Sequence, residues 1–187
     1  MSVKLDRVSV SFGENRILDS VSLTLPERGI LRIAGASGTG KTTLLRVIAG
    51  LQKPDSGTVD TCGARISYVF QEDRLLEWMT ARKNVALCCD NDAAELWLRR
   101  VGLADHKDKL PGELSGGMRR RVAIARALAF GGDVLLLDEP FTGLDVTLRR
   151  DVILPLVTEY ALSRPVVLVT HEQVDVELLG DVLVFEL

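Results

Sequence analysis

The stretch Gly35–Leu45, GASGTGKTTLL, combines glycines with a lysine and several threonines. The apolar run Ile30–Ala34 before it predicts a short buried strand, and apolar residues at helical spacing follow it as far as Gly50. A strand, a glycine-rich turn and a helix start suit the capture of a phosphate chain, because unpaired N–H groups and the helix dipole favour an anion. Lys41 is predicted to bridge the β- and γ-phosphates, and the Thr42 hydroxyl to bind Mg²⁺. The loop residues predicted to contact the nucleotide are Gly35, Ala36, Ser37, Gly38, Thr39, Gly40, Lys41, Thr42 and Thr43.

An acidic pair follows the aliphatic run Val134–Leu137, which predicts a buried strand. A carboxylate at the C-terminal end of such a strand, here Asp138, can hold Mg²⁺ through its water shell. The adjacent Glu139 points elsewhere and can accept a proton from an attacking water. The alternative is a strand that ends in a solvated acidic turn.

A second helix start in the chain has the composition of an anion site. The segment Leu114–Met118, LSGGM, places a serine and two glycines where N–H groups and the helix dipole favour a negative charge. This second start could contact the same nucleotide as the first loop, or it could face the nucleotide of a partner. The pattern by itself fits both arrangements.

The elements that must position these residues predict an α/β fold. Apolar residues alternate over the first ~30 positions, which predicts antiparallel strands joined across Gly13–Asn15. Further on, the aliphatic strands predicted at Ile66–Phe70, Val166–Val169 and Val182–Phe185 alternate with helical patterns. This order predicts a mostly parallel sheet flanked by helices, with an N-terminal antiparallel β part.

The chain of 187 residues is predicted to be a single domain. Residues 1–71 and 131–187 form its predicted catalytic core, and residues from about 72 to 130 form a small inserted helical lobe. Pro155 lies inside a helix predicted from about Val146 to Leu162, and it should kink or split that helix.

Composition narrows the possible partners. A net charge of −3 and a pI near 5.5 give no general attraction to nucleic acid or to anionic lipid. The run Arg119–Arg121 is interpreted as a solvated helix face rather than a nucleic-acid site. No apolar run approaches the ~20 residues that cross a bilayer, and the N-terminus lacks a signal-peptide layout. Cys62, Cys88 and Cys89 have no disulfide or zinc-site spacing, so we expect a soluble intracellular chain that could dock on a membrane-bound component.

The order of motifs along the chain resembles the nucleotide-binding subunit of ABC transporters. In sequence, these motifs are GASGTGKT, Gln71, LSGGM, VLLLDEP, Gly143–Asp145 and Thr170–His171. The resemblance implies a P-loop NTPase of the ABC ATPase type that binds ATP and Mg²⁺. It also implies a head-to-tail homodimer with two ATP molecules at the interface. Each ATP would lie between the phosphate loop of one subunit and Ser115, Gly116, Gly117 and Met118 of the other.

The resemblance assigns further roles residue by residue. Gln71 is similar to the family glutamine that senses Mg²⁺ and the attacking water, and His171 to the switch histidine that contacts the γ-phosphate and helps to position Glu139. Asp145 is similar to the residue that passes contacts across the dimer. Phe12 matches the aromatic residue that stacks on adenine, although its alternation with the valines before it also fits plain sheet core.

Partners are implied in the same way. LSGGM together with QEDRLLEW is similar to ATPases of nitrate, sulfonate and taurine importers, although Met118 stands where many relatives have glutamine and Glu77 where proline is usual. By composition, the apolar residues of Leu75–Met79 fit either a docking groove or a helix that packs on its own lobe, and the resemblance favours docking of membrane-spanning permease subunits there. A separate solute-binding protein is the other implied partner. The implied location is cytoplasmic, peripheral on the inner face of the cell membrane. Two alternatives are a soluble ABC-type ATPase of a DNA-repair or translation machine and a non-catalytic nucleotide-binding regulator.

Overall fold

A parallel sheet lies at the centre of the fold. The computed structural model describes residues 2–171 and 178–187, and within them five strands pair in parallel in the order β5-β6-β7-β3-β8. The strands, numbered in chain order, are β1 (Lys4–Phe12), β2 (Asn15–Thr24), β3 (Gly29–Ala34), β4 (Ser56–Asp60), β5 (Ile66–Val69), β6 (Val134–Asp138), β7 (Pro165–Val169) and β8 (Val182–Glu186). The predicted α/β class and mostly parallel sheet are confirmed.

An antiparallel sheet is formed by β2, β1 and β4 in that order. The predicted pairing of β1 with β2 across Gly13–Asn15 is confirmed. Strand β4 was not predicted, because its five residues, SGTVD, are mostly exposed and carry a single large apolar side chain. Its backbone pairing with β1, rather than burial of side chains, defines the strand.

The helices connect the strands and cover the parallel sheet. They are α1 (Lys41–Ile48), α2 (Ala81–Val85), α3 (Asn91–Arg100), α4 (Gly116–Phe130), α5 (Val146–Leu148) and α6 (Leu154–Ala161). A single π-type segment, Arg149–Ile153, separates α5 from α6, and Pro155 lies in the first turn of α6. Pro155 lacks the backbone N–H that an α-helix running through this point would use. The change from α-type to π-type bonding just before it confirms the predicted split of the helix. No helix of the described ranges is both long and apolar enough to cross a bilayer.

Two clusters of buried side chains lie against the central sheet. In β6, Leu135 and Leu137 belong to the cluster that includes α3, α4 and α6, whereas Val134 and Leu136 belong to the cluster that includes α1, β1 and β2. Successive side chains of a strand point to opposite faces, so both faces of the sheet are covered. This arrangement leaves the C-terminal edge of the strands open, and most of the predicted site residues line a cleft there.

Candidate active site

A cleft of about 670 Å³ lies at the C-terminal ends of the central strands. In open α/β sheets this edge is where ligands bind. The cleft brings together residues that are up to 159 positions apart in the chain. Its lining consists of Phe12, Ile17, Ser37, Gly38, Gly40, Lys41, Thr42, Thr43, Gln71, Asp138, Glu139, Thr142, Val169 and His171.

The predicted phosphate loop joins β3 to α1 and wraps one end of this cleft. Gly40 caps α1 with a φ of 98°, and a Cβ on it would lie 2.7 Å from Cγ2 of Ile17. Only glycine satisfies both conditions without strain. Gly35, Ala36 and Thr39 belong to the loop but do not line the cleft, and the Thr39 hydroxyl donates to the Ala36 carbonyl at 3.0 Å.

Lys41 is buried and folded back on its own loop. Its Nζ donates to the carbonyl oxygens of Gly35 at 2.9 Å and Ala36 at 2.7 Å. The ammonium group is therefore held beside the N-terminus of α1, where an anion is favoured. A phosphate oxygen in the loop would compete with those two carbonyls for the same donors.

Asp138 ends β6 as a buried carboxylate, 1% exposed. The Thr42 hydroxyl donates to its Oδ1 at 3.1 Å, and the Tyr68 hydroxyl donates to its Oδ2 at 3.4 Å. Burial raises the pKa of Asp138, and the two hydroxyl donors oppose that rise. Burial and the Asp138 charge also raise the pKa of Tyr68. No motif pointed to Tyr68, whose distance of 70 positions from Asp138 hides the contact in the sequence.

The oxygens of Thr42 and Asp138 fit a magnesium ion. Mg²⁺ is usually bound by one or two protein oxygens together with substrate phosphates and water. Within the described residues, no group of three or more His, Cys, Asp and Glu side chains is placed to hold a metal alone. A magnesium ion here would therefore depend on the nucleotide for its remaining ligands.

Glu139 lies beside His171, and both line the cleft. Nε2 of His171 is 3.3 Å from Oε1 of Glu139, and this carboxylate oxygen is buried without a hydrogen-bond partner. Burial raises the pKa of Glu139, and the His171 charge lowers it less. Glu139 has a φ of 48°, which is uncommon for a residue with a Cβ and typical of functional positions. The alternative interpretation of Asp138 and Glu139 as a solvated acidic turn does not fit the burial of these two carboxylates.

Gln71 and Phe12 both line the cleft. Gln71 follows β5 and is exposed. Phe12 is 51% exposed, so its interpretation as plain sheet core is wrong. Phe12 is the last residue of β1 and lines the open cleft, so its alternation with the valines before it does not bury its ring.

The second helix start lies outside the cleft. Ser115 and Gly116 are exposed, and the Ser115 hydroxyl caps α4 by accepting a hydrogen bond from the Met118 N–H at 3.3 Å. Asp145 caps α5 in the same way through the Leu148 N–H at 2.9 Å. The two caps are close in space, since a Cβ on Gly117 would lie 2.9 Å from the carbonyl oxygen of Gly143. Ser115, Gly116, Gly117, Met118 and Asp145 are all missing from the lining of the cleft in this single chain.

Similarity to known proteins shows the family of this chain. Residues 18–142 match the family model described as "ABC transporter". The chain belongs to the ABC transporter family. It is 40% identical over 179 residues to the aliphatic sulfonates import ATP-binding protein SsuB 1 of Pseudomonas savastanoi pv. phaseolicola, with 92% of this chain and 74% of that protein covered. It is 43% identical over 192 residues to SsuB 1 of Rhodococcus jostii, with 96% and 77% covered.

A solved structure gives the same result for the fold. The ATP-binding cassette MJ0796, in a dimeric post-hydrolysis state bound to ADP and Pi, superposes with a TM-score of 0.86 and is 28% identical. The match covers 99% of this chain and 96% of that one. The chain is therefore an ABC ATPase, and the predicted fold type is confirmed.

The arginines of α4 differ in part from the solvated helix face that the sequence predicts for Arg119–Arg121. Arg120 is only 3% exposed, and Arg121 donates to the carbonyls of Val101 and Gly102 at 3.0 Å each. The interpretation of this run as a solvated face is therefore wrong for Arg120. Apolar periodicity does not detect an arginine that is buried by bonds to backbone carbonyls from other elements.

Proposed function

We propose that this chain is the ATP-hydrolysing subunit of an ABC importer, which acts as a head-to-tail dimer beneath separate membrane-spanning subunits. The observation that carries the proposal is the division of the site. Lys41, Asp138, Glu139 and His171 meet in one cleft, whereas the second helix start at Ser115 faces outward from the same molecule. One chain thus supplies two halves of different nucleotide sites.

In the proposed mechanism each half-site has a distinct task. Lys41 and the N–H groups of α1 bind the phosphate chain, and Glu139 accepts a proton from the attacking water. Its raised pKa makes Glu139 a stronger base than an ordinary glutamate. His171, at 3.3 Å, orients the Glu139 carboxylate, and Gln71, which follows β5 and lines the cleft, would contact the attacking water and Mg²⁺ when these are bound. Mg²⁺, when bound by Thr42 and Asp138, would offset the charge of the phosphates.

The dimer completes the site that the single chain leaves open. In the proposed dimer, Ser115–Met118 of the partner would donate backbone N–H groups to the γ-phosphate. ATP would therefore hold the two chains together, and loss of the γ-phosphate would loosen them. The difference in interface contacts between the two nucleotide states converts hydrolysis into motion.

A groove beside the cleft supports docking of a membrane-spanning partner. It has a volume of about 290 Å³ and is lined mainly by apolar side chains, among them Leu51, Phe70 and Phe130. Trp78, in the segment for which docking is predicted, does not line this groove but is 74% exposed. An exposed apolar surface of this kind is typical of an interaction site. We propose that it receives a short helix of a permease subunit at the inner face of the cell membrane.

The transported solute is proposed to be an aliphatic sulfonate or a similar small anion. The proposal is supported by the printed names of relatives that are about 40% identical and by the resemblance of LSGGM and QEDRLLEW to nitrate, sulfonate and taurine importers. Such importers work with a separate solute-binding protein, which we include in the proposed assembly. Genes for a permease and a solute-binding protein beside this one would identify the pathway.

The Glu139→Gln variant tests the catalytic assignment. We expect kcat for ATP hydrolysis to fall by about 10²–10⁴-fold, because the amide cannot accept the proton, while binding of a fluorescent ATP analogue persists. Glu27→Gln makes the same chemical change at an exposed position away from the cleft and should leave kcat unchanged. Equal rates in Glu139→Gln and the wild type would contradict the proposal and would favour a non-catalytic regulator.

A further inference from the structure

Arg120 is a buried cation whose partners are almost all backbone carbonyls. Nε donates to Pro140 at 3.0 Å, and Nη2 donates to Asp138 at 2.9 Å and to Glu139. Nη1 donates to Phe70 and to Gln71 at 3.3 Å. Each of the three nitrogens of the guanidinium group therefore bonds to a main-chain oxygen.

These carbonyls belong to two strand ends that carry the proposed chemistry. One set follows β5 and includes Gln71, and the other ends β6 and includes Glu139. Arg120 itself is the fifth residue of α4, one turn beyond the cap at Ser115. A single side chain therefore links the sensing residue, the proposed base and the helix that would contact the partner's nucleotide.

The geometry identifies positioning rather than charge pairing as the purpose of this contact. Within the described residues, Asp73 is the only carboxylate hydrogen-bonded to the Arg120 guanidinium, at 3.4 Å, which is at the long end of the hydrogen-bond range. Burial lowers the pKa of Arg120, although an arginine remains protonated at any ordinary pH. A planar fork of five fixed donors can hold several carbonyls in a defined geometry, and a lysine ammonium cannot.

We propose that Arg120 is a positioning residue for ATP hydrolysis, which fixes Gln71 and Glu139 relative to each other and ties both to the start of α4. Movement of the Ser115 end of α4 toward a nucleotide would then shift both strand ends together. This inference rests on the role proposed above for Glu139. Arg126 extends the link, because it donates to the carbonyls of Asp73 at 3.0 Å and Arg74 at 2.9 Å from the same helix.

Arg120→Lys and Arg120→Gln test this inference on the purified full chain. A displacement of about 1 Å in a catalytic group can cost about 10²-fold in rate, so we expect kcat to fall by about 10–100-fold. The KM for ATP and the Kd of a fluorescent ATP analogue should stay within about threefold, because the phosphate loop is not touched. Tm is measured for each variant, and the assays are run well below the lowest value.

Arg121→Lys is the matched control. Arg121 is the next residue in α4 and donates to three carbonyls, those of Val101, Gly102 and, within its own helix, Gly117, and none of these residues lines the cleft. We expect its kcat to match the wild type. The inference is overturned if Arg120→Lys keeps the kcat of Arg121→Lys, or if Arg120→Lys and Arg120→Gln lose ATP binding in proportion to kcat.

The Glu139→Gln variant separates this inference from the proposed function. If Glu139→Gln is inactive and Arg120→Lys is fully active, only the positioning role of Arg120 is wrong. If Glu139→Gln is itself active, the proposed catalytic role fails and the inference fails with it. A loss of kcat in both variants, with ATP binding kept, supports both.

Discussion

Asp138 and Glu139 are neighbours in the chain, but their carboxylates lie in different surroundings. Asp138 is buried at the strand end and accepts hydrogen bonds from the hydroxyls of Thr42 and Tyr68. Glu139 faces the cleft beside His171, and one of its oxygens lacks a hydrogen-bond partner. Oxygens held by hydroxyl donors suit a metal ligand, whereas a desolvated carboxylate beside an imidazole suits a base. The two surroundings therefore support the two roles proposed from the sequence.

The raised pKa of Asp138 predicts a gain in stability for Asp138→Asn in the nucleotide-free chain. A raised pKa means that the folded chain binds this proton more tightly than the unfolded chain. The charged carboxylate therefore lowers stability, fully at pH values above the raised pKa and less as pH falls toward the ordinary 3.8. At pH 8 we expect a gain of about 1 kcal/mol, or about 2–4 °C in Tm, which should disappear near pH 4.

Asp133→Asn is the control at the other end of the same strand. The Asp133 carboxylate accepts a hydrogen bond from the Arg65 N–H at 2.9 Å, and this bond lowers its pKa. Its charged form is therefore favoured in the folded chain, and we expect no gain in Tm from the amide at pH 8. A Tm for Asp138→Asn at or below the wild-type value at pH 8 would contradict the prediction.

The sequence predicts the positions of residues that belong to a motif better than the positions of residues outside any motif. Lys41, Thr42, Asp138, Glu139 and His171 all lie in or beside a cleft where the motifs placed them. The roles of Tyr68 and Arg120 could not be predicted, because their partners lie on other elements. Tyrosine and arginine are also ordinary surface residues by composition, so only the folded structure distinguishes these two.

At the scale of elements, hydrophobic period predicts the buried strands and helices. It fails for β4, where a short and exposed strand is defined by its pairing with β1. It also fails at the end of β1, because the hydrophobic periodicity predicts Val8, Val10 and Phe12 as buried on one face. The two valines are fully buried, but Phe12, the last residue of the strand, lines the open cleft. Periodicity alone does not show where a strand leaves the core.

The exposed position of Phe12 in the cleft predicts a binding role for its ring. Stacking of a base on an aromatic side chain is worth about 1–3 kcal/mol, so Phe12→Ala should raise the Kd for ATP by roughly 5- to 150-fold. Phe12→Trp should restore binding, because any aromatic face can stack. Leu96→Ala removes an equally exposed apolar side chain, 50% against 51%, from α3 and should leave the Kd unchanged. An unchanged Kd in Phe12→Ala, measured by calorimetry, would exclude stacking.

At the scale of the whole molecule, the cleft and the α4 start face different nucleotides in the proposed dimer. In this proposal the single chain would bind the phosphates from the side of Lys41 and leave the opposite side to the partner. Ser115 and Gly116 are exposed, and the Ser115 hydroxyl caps α4 by accepting from the Met118 N–H. ATP can shift the monomer–dimer equilibrium only through contacts that differ between the two states. Bonds from the partner's helix start to the γ-phosphate are such contacts.

Gly116→Asp tests these contacts without disturbing the monomer. The helix dipole stabilises a carboxylate in the first turn of α4, and a Cβ at Gly116 would meet no atom closer than 4.0 Å. In the dimer the same carboxylate would face the partner's triphosphate. We therefore expect Glu139→Gln to dimerise with Mg-ATP in sedimentation experiments, and the double variant Gly116→Asp/Glu139→Gln to remain monomeric with ATP still bound.

Ser163→Asp in the Glu139→Gln background controls for the added charge. Ser163 is exposed and precedes β7, so it lies at the N-terminal edge of the sheet, away from the cleft. Dimerisation of this variant should match that of Glu139→Gln alone, because its carboxylate faces no phosphate. A dimer of undiminished affinity in Gly116→Asp/Glu139→Gln would mean that the α4 start does not contact the nucleotide. The two chains would then have to associate through another surface, and ATP would have to act on the dimer indirectly.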